Sequence, residues 1–315
     1  MSTYSIESAR TNERLSAFLS EIGATKPIDN YFGICPTLEY FMKNMKTQDG
    51  GRQIIYPIGS GENTTLAWSS DYDIISTTPT DTALTVGYPF VNIFGSLNIS
   101  WEEMREIAGN DHQIFDRVDY KRDEIINSAM KKINAAFYAA TQVANQITAL
   151  PVAVLATGAV GGLNQSTDAD WASIVTAGGV FTTQGYSDML STFNQLVAKK
   201  AKPKVIITTR AIYELYEKEL NPDVRYATAD GKGVRGFSEL QFKQTPIIFD
   251  PDCTSGVIQF FDTDYMFMIL DTDGNFELDP FETPTNQKVF VSKFAFRGNL
   301  VLNNRRAQAK ITGNS

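Results

Sequence analysis

The sequence predicts an α+β protein of two bodies with a projecting hairpin, and three stretches carry that reading. From Asn110 to Leu150 there is neither glycine nor proline, and apolar residues recur at helical spacing. From Arg52 to Ser100 threonine, isoleucine, valine and tyrosine accumulate in extended-looking runs. Beyond Gln244 short apolar runs alternate with turn signals and close on KVFVSKFAFRGNLVLNNRRAQAKITG, Lys288 to Gly313.

Taken in order, residues 4 to 22 form a weakly amphipathic helix that ends near Gly23. Pro27, Gly33 and Pro36 then punctuate an extended arm with one short helix around Leu38 to Met45. QIIYPIGSGENTTLAW and DTALTVGYPFVNIFGSLNI read as the two sides of a hairpin joined by DYDIISTTPT. With so little apolar content expected near its tip, such a hairpin cannot build a core alone and needs a surface to lie on.

The next element is the clearest. Val118, Ile125, Ala129, Ile133, Ala136, Ala140, Val143 and Ile147 line one helical face, Asn110 or Asp111 caps its start, and Pro151 follows its end. A helix of roughly forty residues would run on the order of 60 Å. After Pro151 the glycine-rich ATGAVGGLNQ opens a second body, with helices over SDMLSTFNQLVAKK and RAIYELYEKEL around a buried strand KPKVIITT. TPIIFDP, GVIQFFDT, YMFMILDTDG and NFELDPF follow as strands, with Asp273-Gly274 as a two-residue hairpin turn.

Composition narrows the function. A chain of 315 residues with 43% hydrophobic content can bury a sizeable core, and 20 Phe with 13 Tyr set it apart from disordered chains. No apolar run is long enough to span a membrane, and MSTYSIESARTNERLSAF lacks the order of a signal peptide. Cys35 and Cys253 have no CxxC spacing and read as buried filler. The net charge of −8 argues against a dedicated nucleic-acid binder. Its distribution is uneven: residues 283 to 315 hold Lys288, Lys293, Arg297, Arg305, Arg306 and Lys310 against no acid. Those cations call for acidic surface on the same chain, on a neighbouring copy or on nucleic acid.

Catalytic motifs are weak. His112 is the only histidine and reads as a polar residue at a helix start. DTDGNFELD places Gly274 fourth and offers no twelfth glutamate, so it fails as a calcium loop. GSGENT and GAVGG lack the lysine of a phosphate-binding loop. Asp168 with Asp170, and Glu102 with Glu103, read as capping or solvated carboxylates. Arg297, Arg305 and Arg306 differ in kind, because arginines set among strand residues can fork onto carboxylates of another strand or chain. Together with Arg52 they form the candidate set of intersubunit contacts.

This order of parts resembles the major capsid proteins of tailed bacteriophages, most closely over Ser100 to Tyr138, over VIITTRAIYELYEKELNPDVRY and over the final 26 residues quoted above. The resemblance implies an HK97-like fold: an N-terminal arm over 1–51, an extended loop over 52–100, a peripheral domain from 101–150 and 262–315 with the long helix as its spine, and an axial domain over 151–261. It implies a shell of pentamers and hexamers around double-stranded DNA in a virion capsid assembled in the host cytoplasm. The hairpin would lie over a neighbouring subunit, and the basic closing run would meet acids of adjacent copies. Implied partners are a separate scaffolding protein, portal and decoration proteins, and non-specific contact with packaged DNA; no cofactor, metal, membrane or catalysis is implied. The founding member joins subunits through a lysine on the loop, and no lysine occurs here from Arg52 to Tyr120. Two other readings stay open: an encapsulin-like compartment for protein cargo, and an enzyme using carboxylates and a cation.

Overall fold

The computed structural model describes residues 35–78, 80–107, 111–219 and 240–314. They fall into two compact units. The larger contains residues 33–93, 130–277 and 296–315, and the smaller contains 94–129 and 278–295. The expected helix over residues 4–22 lies outside the described residues, as does the stretch after α6 below.

In the larger unit, helix α1 (Pro36–Lys43) leads into β1 (Lys46–Gln48). Leu38 and Phe41 of α1 are fully buried, and the Phe41 ring lies 5.8 Å from those of both Phe137 and Phe261. The stretch expected as an arm therefore contributes core here. The hairpin strands β2 (Gln53–Gly59) and β3 (Ala83–Pro89) pair antiparallel from Gln53↔Pro89 to Gly59↔Ala83. The following strand β4 (Val91–Ser100) is not a continuation of the hairpin, as the sequence suggested; it pairs with the closing strand β14 (Val289–Leu302).

Two helices come next, α2 (Trp101–Ile107) and α3 (Asp111–Phe137). Helix α3 has 27 residues, not forty, so it is about 40 Å long. Its expected face is real, with Ala129, Ile133 and Phe137 buried. Helical spacing continues past Phe137, but the backbone does not follow it. Asn145 takes a positive φ of 58°. The Gln142 side chain donates to the carbonyls of Val143, Gln146 and Ile147 and accepts from the Ala149 N–H, replacing the helical ladder. Thr141, Val143, Ile147 and Thr148 are β-branched and weaken the helical alternative. Pro151 sits inside a short helix, α4 (Leu150–Ala153), at a position where its missing N–H costs nothing.

Strands β5 (Ala159–Val160) and β6 (Leu163–Asn164) form a miniature hairpin whose turn glycines, Gly161 and Gly162, have φ of 61° and 86°. Then come β7 (Ile174–Ala177), α5 (Tyr186–Ala198), β8 (Val205–Thr208) and α6 (Arg210–Glu219), followed by β9 (Gln241–Phe242), β10 (Thr245–Phe249), β11 (Ile258–Phe261) and β12 (Met266–Asp271). A six-stranded sheet runs β7-β15-β11-β8-β10-β9, where β15 is the chain's last strand, Ala309–Thr312. Its core holds Phe193 and Leu196 from α5, Ile206 from β8, Phe260 from β11 and Ile311 from β15. The closing run is thus divided. Its first strand pairs with β12 through Met266↔Leu302 to Leu270↔Gly298, and its last strand enters the six-stranded sheet.

Asp273-Gly274 is not a two-residue hairpin turn. Thr272–Gly274 forms a 3₁₀ turn, and β13 (Glu277–Leu278) pairs with β14 instead of returning along β12. The Arg297 backbone and Cβ crowd Gly274, leaving no space for a Cβ there.

In the smaller unit, Ser100 and Glu103 form a reciprocal cap at the start of α2: Ser100 N–H donates to Glu103 Oε2 and Glu103 N–H to Ser100 Oγ. Lys121 reaches Glu103 at 3.1 Å. Gly95 of β4 allows Ile125 and Phe294 to approach within 3.0 and 3.7 Å of where its Cβ would stand.

Candidate functional site

Among the described residues of 60–82, the tip of the hairpin, none lies in a helix or strand, and the Ser60 N–H to Thr82 carbonyl bond closes the stem beneath them. This stretch looked polar in the sequence, and it is not. Leu66, Trp68, Tyr72, Ile74 and Ile75 are all exposed, Trp68 and Ile74 at 105% and 99%. Glu62, Asp71, Asp73 and Asp81 lie among them, and no Lys or Arg occurs from Gln53 to Met104. The tip is therefore apolar and acidic together.

The root of the hairpin is held firmly. Ile54, Val86 and Tyr88 are buried, and the Tyr88 hydroxyl donates to the Leu302 carbonyl at 2.8 Å. Burial raises the Tyr88 pKa, against smaller opposing effects from that bond and Arg305. The Gly87 N–H donates to the Gly161 carbonyl at 2.9 Å, which docks the β5–β6 turn on β3. Tyr56 packs edge-on against Phe267 at 5.7 Å.

The four candidate arginines have different fates. Arg297 forms an ion pair with Asp271 at 2.8 Å, donates to the Gly51 carbonyl and lies 4.8 Å from the centre of the Phe90 ring, so it clamps the hairpin root. Arg52 is exposed beside that root, and its carbonyl accepts from the Phe90 N–H. Arg306 is exposed and pairs with Asp170 at 2.9 Å. Arg305, expected at an intersubunit contact, does not reach the surface. It is fully buried, and its guanidinium donates to the carbonyls of Ala153, Gly158, Trp171, Thr157 and Val152. Burial lowers its pKa. It braces the fold from within and is closed to another subunit.

The same holds for other cations of the closing run. Lys293 pairs with Glu282 at 3.2 Å, and Lys310 donates to the Pro151 carbonyl. The acids expected on adjacent copies are thus supplied largely by this chain. Lys288 behaves differently. Its ammonium lies 5.1 Å from the centre of the Trp101 ring, and the Arg105 guanidinium lies 5.1 Å from the same ring. Trp101 stays 41% exposed and its backbone N–H donates to the Lys288 carbonyl. This patch belongs to the smaller unit.

Polar clusters elsewhere are structural in geometry. An open cleft of about 780 Å³ in the larger unit is lined by Glu62, Asp168, Asp170, Lys199 and Arg306, and burial followed by the Arg306 charge lowers the Lys199 pKa. Asp250 is fully buried and accepts from the Thr37 and Asp252 N–H groups and the Asn134 amide. Beside it, burial followed by the Asp250 charge pushes the Cys253 thiol up to about 12. No cluster of three or more candidate metal ligands occurs among the described residues. His112 lies on α3.

The hairpin, the long helix and the mixed sheet make an α+β fold, and the solved structures that it matches place that fold in the HK97-like capsid class. The chain matches a capsid chain of cyanophage A-1(L) with a TM-score of 0.66 at 15% identity, over 94% of this chain and 98% of that one. It matches the capsid of a native GTA particle with a TM-score of 0.65 at 15% identity, over 95% and 99%. The SrpI encapsulin of Synechococcus elongatus matches with a TM-score of 0.58 at 10% identity, over 100% and 97%. No protein-family model matches the sequence, and no curated protein aligns with it.

Proposed function

We propose that this chain is the major capsid protein of a tailed bacteriophage or a related particle, many copies of which close into a shell around double-stranded DNA. The exposed apolar tip carries the reading. Trp68 and Tyr72 each offer on the order of 150–250 Å² of surface, which a solitary subunit leaves in water and a neighbour removes from it. Near full-length likeness to the capsid chains of a cyanophage and of a GTA particle supports the same conclusion. In this reading 1–51 is an arm, 52–100 the extended loop, 101–150 with 262–315 the peripheral domain and 151–261 the axial domain, to which β15 adds a strand. Pentamers and hexamers form with a separate scaffolding protein, portal and decoration proteins join them, and contact with packaged DNA is non-specific. Assembly takes place in the host cytoplasm and the product is the virion capsid. No described helix is long and apolar enough to cross a membrane.

Electron microscopy and sedimentation of the purified protein test the proposal. Closed particles, or capsomers that convert to them, are expected. Monomers or dimers at every protein and salt concentration would overturn it. The encapsulin likeness supports a second reading, a compartment for protein cargo. Nuclease-protected DNA in particles recovered from the host selects the phage reading, and particles holding protein without DNA select the other.

A further inference from the structure

We propose that in a subunit not yet assembled the hairpin tip folds back into the open cleft of its own larger unit and withholds its apolar side chains from other copies. Closure is a property of one chain; its consequence, a check on assembly, rests on the shell-forming reading. The cleft lies where the tip begins. Gly59, Gly61 and Glu62 line it, and Ser60 bonds to Thr82, so both ends of the tip leave the stem beside it. Gly61 has a φ of 108°, and nothing stands within 4 Å of where a Cβ at Gly59 would be, so the chain can swing at this point. From Gly61 to Leu66 an extended chain reaches up to about 16 Å. The cleft, about 780 Å³, falls within the roughly 300–1,000 Å³ of clefts that hold a ligand.

Each side of this contact has what the other lacks. Leu66 and Trp68 need cover, and Ile58, Leu163 and Tyr265 are half-buried apolar groups in the cleft wall. Asn303 Oδ1, on the same wall, is buried without a donor among the described residues, and the Trp68 indole N–H is a donor that can meet it. The wall carries Lys199, Lys200 and Arg306 against Asp168 and Asp170. Arg306 takes Asp170 at 2.9 Å, and neither Lys199 nor Lys200 forms an ion pair among the described residues. Burial and then the Arg306 charge lower the Lys199 pKa, the mark of an ammonium short of counter-charge. On the tip, Asp73 and Asp81 accept from the backbone N–H groups of Ser70 and Ala83. Glu62 and Asp71 are left to meet the two lysines. A foreign acidic segment would suit the same wall. The tip is favoured because its tether at the rim holds it at an effective concentration on the order of millimolar. Closure needs only a severalfold preference to hold back assembly, too little to register in global unfolding.

Two experiments decide it. In the first, full-length Leu66→p-benzoylphenylalanine protein of natural isotope content is mixed with the same protein in heavy isotopes, irradiated as dilute subunits and digested. Crosslinks from the tip into peptides carrying Leu163, Tyr265 or Asn303, joining light to light and heavy to heavy only, are expected. No crosslink, crosslinks elsewhere, or light-to-heavy crosslinks overturn the closure and leave the shell reading standing, because no particle is required. In the second, Lys199→Glu/Lys200→Glu is made alone and with Glu62→Lys/Asp71→Lys. The double variant should cut the crosslink yield severalfold, keep the thermal transition and lower the protein concentration needed for assembly by about threefold. The fourfold variant should recover the crosslink, which a merely structural role would not produce. An unchanged yield in the double variant, no recovery in the fourfold variant, or a higher assembly concentration in the double variant overturns the proposal. Expected crosslinks with no high-mass particle from any variant overturn the shell reading and leave the closure standing.

Discussion

The closing run and the hairpin tip are both anomalous in the sequence, and the fold resolves them in opposite ways. The run from Lys288 to Gly313 displays a block of cations that seem to demand an outside partner, yet Asp271, Glu282, Asp170 and several carbonyls of the same chain meet most of them. The tip looks like solvated linker, yet Leu66, Trp68, Tyr72, Ile74 and Ile75 are exposed on it, uncovered by any of the described residues. A charge is satisfied by a few well-placed atoms, which a folded chain supplies locally. Apolar surface is satisfied only by area, and a two-stranded stem has none to spare. The feature that needs company is the apolar one.

Removing the tip is the strongest way to break this contrast. Ile54, Val86 and Tyr88 are buried, so the stem must stay, and the removable piece lies between Ser60 and Thr82, whose backbones already bond. Joining them through a short glycine linker costs little closure entropy. The product should keep a cooperative thermal transition and fail to assemble in sedimentation. If it unfolds, the tip belongs to a core after all.

Arg305→Met probes the other side. It strands buried carbonyls of Ala153, Gly158 and Trp171 without a donor. At ~1–3 kcal/mol for each orphaned group, a loss of about 3 kcal/mol or more is expected in denaturant unfolding. Arg306→Met, at an exposed pair, should lose under about 1 kcal/mol. Equal effects would mean that the burial of Arg305 counts for little.

Trp68→Ala should leave unfolding unchanged and raise the concentration for assembly roughly tenfold or more, as for a central aromatic anchor. The smallest effect concerns alkali. Cys253 and Tyr216 are each raised to about 12, chiefly by burial. Above about pH 9 the unfolded chain gives up these protons while the folded chain keeps them, so the stability they contribute is full below that pH and is lost by about pH 12. A thermal midpoint that rises over that window would contradict the burial of these groups.

Much of the fold was legible. Helices over RAIYELYEKE and SDMLSTFNQLVA and strands over VIIT and IQFF form where local pattern and burial agree. The spacing predicts a longer helix than α3 because Val143 and Ile147 keep the helical period while Gln142, through three carbonyls, turns the backbone away. Spacing records which side chains seek cover and is silent on whether the backbone stays helical to provide it. The apolar tip is silent in the sequence for a related reason: LAWSSDYDII has neither period, and periodicity detects only surface that the chain buries against itself. The patch at Trp101 unites residues of α2 with Lys288, far apart in sequence, and no local signal joins them.

The glycine turn seated on β3 has a mechanical consequence. A Cβ at Gly161 would stand 2.9 Å from the Tyr88 ring, so even an alanine there must push the stem aside. The seven-residue strand β2 is a lever about 24 Å long, and a tilt of about 5° at its fulcrum carries the far end about 2 Å. Gly161→Ala therefore changes where the lever points while leaving the apolar groups at its end intact. The curvature of what the subunits build together, read as particle diameter, is the quantity that such a change should move.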